Sequence, residues 1–249
     1  MEYDLRVLVA LGLSLLLVML RVEAERFGAA EYDEPIRGRR PSIVRRLAWY
    51  VLGVGGVLAL MFVHPAPEFD LHLTVGDRSG IFLALVIAVI GVGQAVALAY
   101  LHYRRLRLPD IGAYPGALAN EILTAFIDEA VFRGAVLGYF LWAGADANLA
   151  ILGQTVIYAL STRLGAPGRD KYMLVLALLI GLVGGWATLS TGGIGAAFLG
   201  HAITRVAVFL TTGHAGQPPA RGTEPEEVEK RRRTPDGWRA VDRSGVRER

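Results

Sequence analysis

Seven long apolar runs, set between loops whose basic content alternates, restrict this chain more than any other feature. They cover residues 7–20, 47–63, 80–101, 118–142, 148–162, 172–190 and 193–212. A stretch of about 17 to 25 apolar residues spans a hydrocarbon core of about 30 Å as a helix. Lipid offers the backbone no hydrogen-bond partner, so a helix, which satisfies its amides internally, is the only reading for such runs. The expected fold class is all-α, a polytopic membrane protein of about seven transmembrane helices. The fifth run is short and the fourth carries charges, so their boundaries are the least sharply drawn.

Composition agrees with this class. Hydrophobic residues make up 53% of the 249, and they fall in blocks rather than at amphipathic spacing, unlike a soluble domain. The net charge of +3 describes no uniformly basic surface, so no nucleic-acid partner is expected. With no cysteine, the chain has no disulfide, thiolate metal ligand, cysteine nucleophile or prenylation site of its own.

Loop charge supplies an orientation. Arg21, Arg26, Arg37, Arg39, Arg40, Arg45 and Arg46 lie between the first two runs, whereas the next loop, around Asp70 and Asp77, holds only Arg78. Arg104, Arg105 and Arg107 follow, then residues 143–147 with no basic residue. Arg163, Arg169 and Lys171 come next, then the bare turn at residues 190–192, then a tail containing Lys230, Arg231, Arg232 and Arg233. Basic loops stay in the cytoplasm, so the alternation places the N-terminus outside and the C-terminus inside the cell membrane. The first run is preceded by mixed charges (Glu2, Asp4, Arg6) and ends in Arg21-Val22-Glu23 without a small-residue cleavage site. It reads as a retained helix, not a cleaved signal.

The expected organisation is three helices with basic cytoplasmic loops over residues 1–117, a four-helix core over 118–212, and a charged cytoplasmic tail over 213–249. The tail, polar and carrying Gln217-Pro218-Pro219, has the composition of a disordered segment.

Ionisable groups inside lipid are costly and mark candidate sites. The fourth run contains Glu121, Asp128, Glu129 and Arg133, and the seventh contains His201 and Arg205. The fifth adds Gln154, Thr155, Tyr158, Ser161 and Thr162. Helical spacing puts Glu121 and Asp128 on one face and lets Glu129 pair with Arg133 one turn later. Three helices can thus enclose a polar pocket, with Asp128 or Glu129 as base and His201 as partner. The plainer alternative is that Glu129 and Arg133 only fix helix packing. Gly134 with Gly138, and Gly181 with Gly185, form GxxxG pairs expected to bring helices close.

In order and spacing these residues resemble the CPBP family, the CAAX-protease and bacteriocin-processing intramembrane endopeptidases. The family carries Glu-Glu-x-x-x-Arg, then Phe-x-x-x-His, then His-x-x-x-Asn on successive helices. Asp128-Glu129-Ala130-Val131-Phe132-Arg133-Gly134 is similar to the first, and His201-Ala202-Ile203-Thr204-Arg205 to the third. Tyr158-Ala159-Leu160-Ser161-Thr162 occupies the place of the second. The resemblance covers roughly residues 118–212. It implies Asp128 as base, Thr162 in place of the base's histidine, His201 as oxyanion donor and Arg205 in place of the asparagine. Glu129 and Arg133 keep their family positions.

Each departure carries a chemical consequence. Aspartate is one methylene shorter than glutamate, and a misplacement of about 1 Å costs about a hundredfold in rate. Threonine takes up no proton near neutral pH, so the base loses a titratable partner. Arginine can serve an oxyanion with a full charge, or pair with Asp128 and make it a poorer base. Zinc calls for three or more protein ligands. Asp128, Glu129 and His201 supply three, but Arg133 and Arg205 beside them disfavour a cation. No cofactor is expected, and a metal ion is left open.

Three functions follow as expectations. The first is an intramembrane endopeptidase, weakened or inactive, acting on a peptide or membrane-protein substrate at the lipid bilayer. The second is a non-catalytic protein of the same fold that binds a partner or confers immunity. The third is a small-solute or proton transporter built on Glu121, Asp128 and Glu129, although no repeat or pair of broken helices supports it.

Overall fold

The computed structural model describes residues 2–29, 43–103, 107–109, 115–166, 171–213 and 238–240. Its first three long helices are α1 (Glu2–Val22), α2 (Ile43–Val63) and α3 (Gly80–Tyr103). Then comes α4, a continuous helix made of an α segment Pro115–Asp128, a π-helical stretch Glu129–Val136 and an α segment Leu137–Trp142. The last three are α5 (Ala147–Leu164), α6 (Tyr172–Thr191) and α7 (Gly195–Thr212). The fold is all-α, and every helix lies within a few residues of an apolar run. Local chemistry sets several ends. The Asp146 carboxylate accepts from the amides of Asn148 (3.0 Å) and Leu149 (3.1 Å) and caps α5. Gly192 and Gly213 end α6 and α7 in the left-handed region that glycine enters without cost.

Among the described residues, five helices are long and apolar enough to cross a membrane by length and composition: α1, α2, α3, α6 and α7. By that measure seven crossings are not established. The helices outside the set are α4, which is broken by its π-helical stretch, and α5; both carry buried polar groups, among them Glu121, Asp128, Glu129 and Arg133 on α4 and Gln154 and Thr155 on α5. The surface is that of a membrane protein: Leu8 and Leu16 of α1, Phe62 of α2 and Phe82 and Val89 of α3 are exposed. The interior is the reverse. Glu121, Asp128, Glu129, Arg133, Gln154 and His201 are all 2% exposed or less.

The connection between α2 and α3 is part of the core. It makes one helical turn, Pro67–Asp70, and inserts Leu71 and Leu73 beside Ala130, Val131, Phe132 and Ala135 of α4. The glycines of α4 make room for it. A Cβ on Gly134 would lie 2.6 Å from Leu73 Cδ2, and one on Gly138 would collide with the Asp70 carbonyl oxygen. This corrects the helix-packing reading of that GxxxG pair, whose glycines receive a loop. The pair on α6 does meet a helix: Gly181 faces the Thr155 side chain and Gly185 faces Gln154, both of α5. The same connection ties itself to the α6–α7 turn, where Asp77 N donates to Thr191 O (2.9 Å) and Ile194 N to Thr74 O (3.0 Å).

Two three-residue strands, β1 (Arg107–Pro109) and β2 (Trp238–Ala240), pair antiparallel with Leu108 opposite Arg239. The rest of the tail expected to be disordered, with its Lys230–Arg233 run, lies outside the described residues. So do Arg37, Arg39, Arg40, Arg104, Arg105 and Arg169.

Candidate active site

The π-helical stretch of α4 opens at Glu129 and holds Arg133 in its second half. π-turns often mark functional positions, because the extra residue per turn re-aims side chains. Here Glu129 bridges two partners. Its Oε2 lies 3.2 Å from Arg133 Nε, and its Oε1 lies 2.6 Å from His201 Nδ1 of α7. An ionised Glu129 only accepts, so with it Nδ1 is the donor, and in a neutral ring Nε2 then holds the lone pair. That Nε2 faces the Tyr158 hydroxyl of α5 at 3.4 Å. The Arg133 guanidinium stacks on the Tyr158 ring, its carbon 4.1 Å from the ring centroid, within cation–π range. Close approach of α6 completes the packing, since a Cβ on Gly184 would lie 3.0 Å from Arg133 Nε.

Two more ion pairs flank this group. Asp128 Oδ1 lies 2.8 Å from Arg21 Nε at the end of α1. Glu121 Oε2 lies 3.0 Å from Arg205 Nε of α7. Asn120 Nδ2 donates to Glu121 Oε1 (3.1 Å), and Tyr50 of α2 donates its hydroxyl proton to Asn120 Oδ1 (2.6 Å). Three buried carboxylates thus face three guanidiniums one for one. Pairing of this kind is what makes charge tolerable away from water.

Between α5, α6 and α7 lies a cavity of about 30 Å³. Tyr158, Thr162, His201, Thr204 and Arg205 form its polar side, and Met173, Leu176, Ala177, Ile180 and Val208 its apolar side. A water molecule needs about 10–15 Å³ measured this way and two or more polar neighbours, so one or two waters fit. The Thr162 hydroxyl is buried and makes no protein hydrogen bond.

Of the residues singled out in the sequence, Glu129 contacts Arg133 and His201, Tyr158 contacts the same two, and Thr162 and Arg205 share the cavity with Tyr158 and His201. Asp128 does not line it. Arg205 does not pair with Asp128, because Glu121, about two turns nearer the start of α4, takes it instead. Sequence reasoning missed Arg21, which reads as one loop arginine among several. The available signal was its place in the last turn of the first run, from which a long side chain reaches polar surroundings. Asn120 and Tyr50 carried no signal. Among the described residues, no three of His, Asp and Glu are grouped as metal ligands.

Neither the curated proteins nor the solved structures give a match to this chain. A family model does: that of the type II CAAX prenyl endopeptidase Rce1-like family, over residues 110–207. The match takes in α4, α5, α6 and most of α7, with Asp128, Glu129, Arg133, His201 and Arg205 inside it. Over residues 110–207, less than half of its length, this membrane protein is similar to the Rce1-like family, a likeness consistent with a CPBP-family intramembrane protease.

Proposed function

We propose that the chain hydrolyses peptide bonds of membrane-associated proteins or peptides, with the Glu129–His201 pair activating a water in the cavity. The observation that carries this reading is the 2.6 Å contact between Glu129 and His201, joining α4 to α7 beside a water-sized space. A neutral imidazole whose Nδ1 proton is held by a carboxylate presents a basic Nε2, the arrangement a general base needs. Water gives a proton to Nε2 as its oxygen bonds to the substrate carbonyl carbon, and the carbonyl oxygen becomes an oxyanion. Arg205 and the Tyr158 hydroxyl oppose that charge from the cavity wall. The imidazolium, stabilised by Glu129, then returns the proton to the departing amine as the carbon–nitrogen bond breaks. Arg133, 3.2 Å away, holds Glu129 in place.

In this reading Asp128, the base implied by the family motif, is a carboxylate held by Arg21. His201 passes from oxyanion donor to base. We orient the chain with the N-terminus outside, the C-terminus in the cytoplasm and α4 and α5 as further crossings. In that orientation Thr162, Met173, Arg205 and Val208 lie toward the cytoplasmic ends of their helices, which supports a cavity in the cytoplasmic half of the bundle.

Purified protein in detergent, offered a library of fluorescence-quenched peptides, tests the reading. Cleavage lost in Glu129→Gln and His201→Gln supports it, and cleavage unchanged in both defeats it. A second reading, a non-catalytic protein of the same fold that binds a partner or gives immunity, draws on the Arg21–Asp128 pair and on Thr162. It predicts that the parent cleaves no member of the library.

A further inference from the structure

We propose that Glu121 is a positioning residue of this site: it seats the Arg205 guanidinium on the cavity wall and, through Asn120 and Tyr50, ties that wall to α2. The inference rests on the hydrolytic reading above. Arg205 lines the cavity while its Nε lies 3.0 Å from Glu121 Oε2, so one side of the guanidinium is held by α4. The carboxylate is itself held, since Oε1 accepts from Asn120 Nδ2 at 3.1 Å and Asn120 Oδ1 accepts from Tyr50 at 2.6 Å. Glu121 and Asn120 are fully buried, so neither has water as an alternative partner. An unsupported arginine has many rotamers and loses entropy on being fixed. A guanidinium fixed beforehand opposes developing negative charge without reorganising at the moment of reaction.

The pair also changes what a substitution at position 205 means. Arg205→Asn, which would restore the family motif, removes the cation that the structure pairs with Glu121 and strands a buried carboxylate. The change compatible with the fold is therefore double, Glu121→Gln with Arg205→Asn.

Two measurements on the full-length protein in detergent test this. In the first, thermal unfolding is followed for Glu121→Gln, Arg205→Asn and the double variant. Each single change is expected to lower the midpoint by roughly 10 °C, and the double by clearly less than the sum. In the second, kcat and KM are measured on the library peptide that the parent cleaves fastest. Glu121→Gln should lower kcat by about 10- to 100-fold, with KM changed less than about threefold. Asn120→Ala, which removes support without removing a charge, should lower kcat less. The exchanged pair Glu121→Arg with Arg205→Glu separates positioning from structure: it should recover the midpoint but not kcat. Recovery of both, or a parental kcat in Glu121→Gln, would overturn the proposal. An additive thermal cycle overturns the seating of Arg205 whatever the peptides show. A parent that cleaves nothing overturns the hydrolytic reading whatever the thermal cycle shows.

Discussion

Arg21, in the last turn of α1, lies with its Nε 2.8 Å from Oδ1 of Asp128 on α4, and both side chains are buried. The pair makes the first helix part of the site. Burying two charges costs several kcal/mol each, and their attraction roughly offsets this only while both are present.

Removing one partner is therefore expected to be more damaging than removing both. Arg21→Met should destabilise the protein by about 3–5 kcal/mol. Arg21→Met with Asp128→Leu should lie much nearer the parent. Thermal unfolding in detergent measures the difference. Equal losses for the single and the double variant would show that the two groups do not depend on each other.

The loop that enters the core between α2 and α3 gives a second expectation. Gly138→Ala places a methyl group against the Asp70 carbonyl oxygen, a backbone atom that cannot step aside as a side chain can. Overpacking of this kind costs about 1–3 kcal/mol. Gly93→Ala, with no atom within 4 Å of the added Cβ, should be neutral or slightly stabilising, since alanine is the better helix former. A Gly138→Ala protein as stable as the parent would mean that the loop does not rest on α4.

A third expectation concerns pH and the same loop. Burial holds the His64 imidazole below its ordinary value of 6.5, while Asp70, 4.0 Å away, works in the opposite direction. The Ala66 amide donates to His64 Nδ1 (3.2 Å), a bond that a doubly protonated ring cannot accept. His72 is also lowered by burial. A histidine whose folded value is lowered costs no stability above its unfolded value, and the cost grows as pH falls through 6.5 toward the folded value. Unfolding midpoints measured between pH 8 and pH 5 should fall over that window, and His64→Gln should flatten the fall. Parallel curves for parent and variant would remove His64 from the account.

Hydropathy marked the apolar runs, and among the described residues a long helix lies at each of the seven. It did not establish whether α4 and α5 cross: α4 is interrupted by its π-helical stretch and carries four charged residues, and α5 carries Gln154 and Arg163. The motif around Glu129 and the His201–Arg205 turn was legible because helical spacing alone brings residues four apart onto one face. Pairing between helices was not, since it depends on how each is rotated and how deep each sits. Glu121 and Asp128 look equally suited to Arg205, and only the packing of α4 against α7 chooses Glu121. Arg21 has the sequence context of a topology signal and the environment of a site residue. The glycines at 134 and 138 show the same ambiguity: a small residue announces a close approach but not whether helix or loop arrives.

The most direct measurement is kcat for peptide hydrolysis in His201→Gln set beside Asp128→Asn, both in protein shown to be folded. If Nε2 of His201 is the base, His201→Gln should lower kcat by about 10²- to 10⁴-fold, and Asp128→Asn by less than about tenfold. The reverse order, with Asp128→Asn inactive and His201→Gln close to the parent, would contradict the account and return the base to the carboxylate held by Arg21.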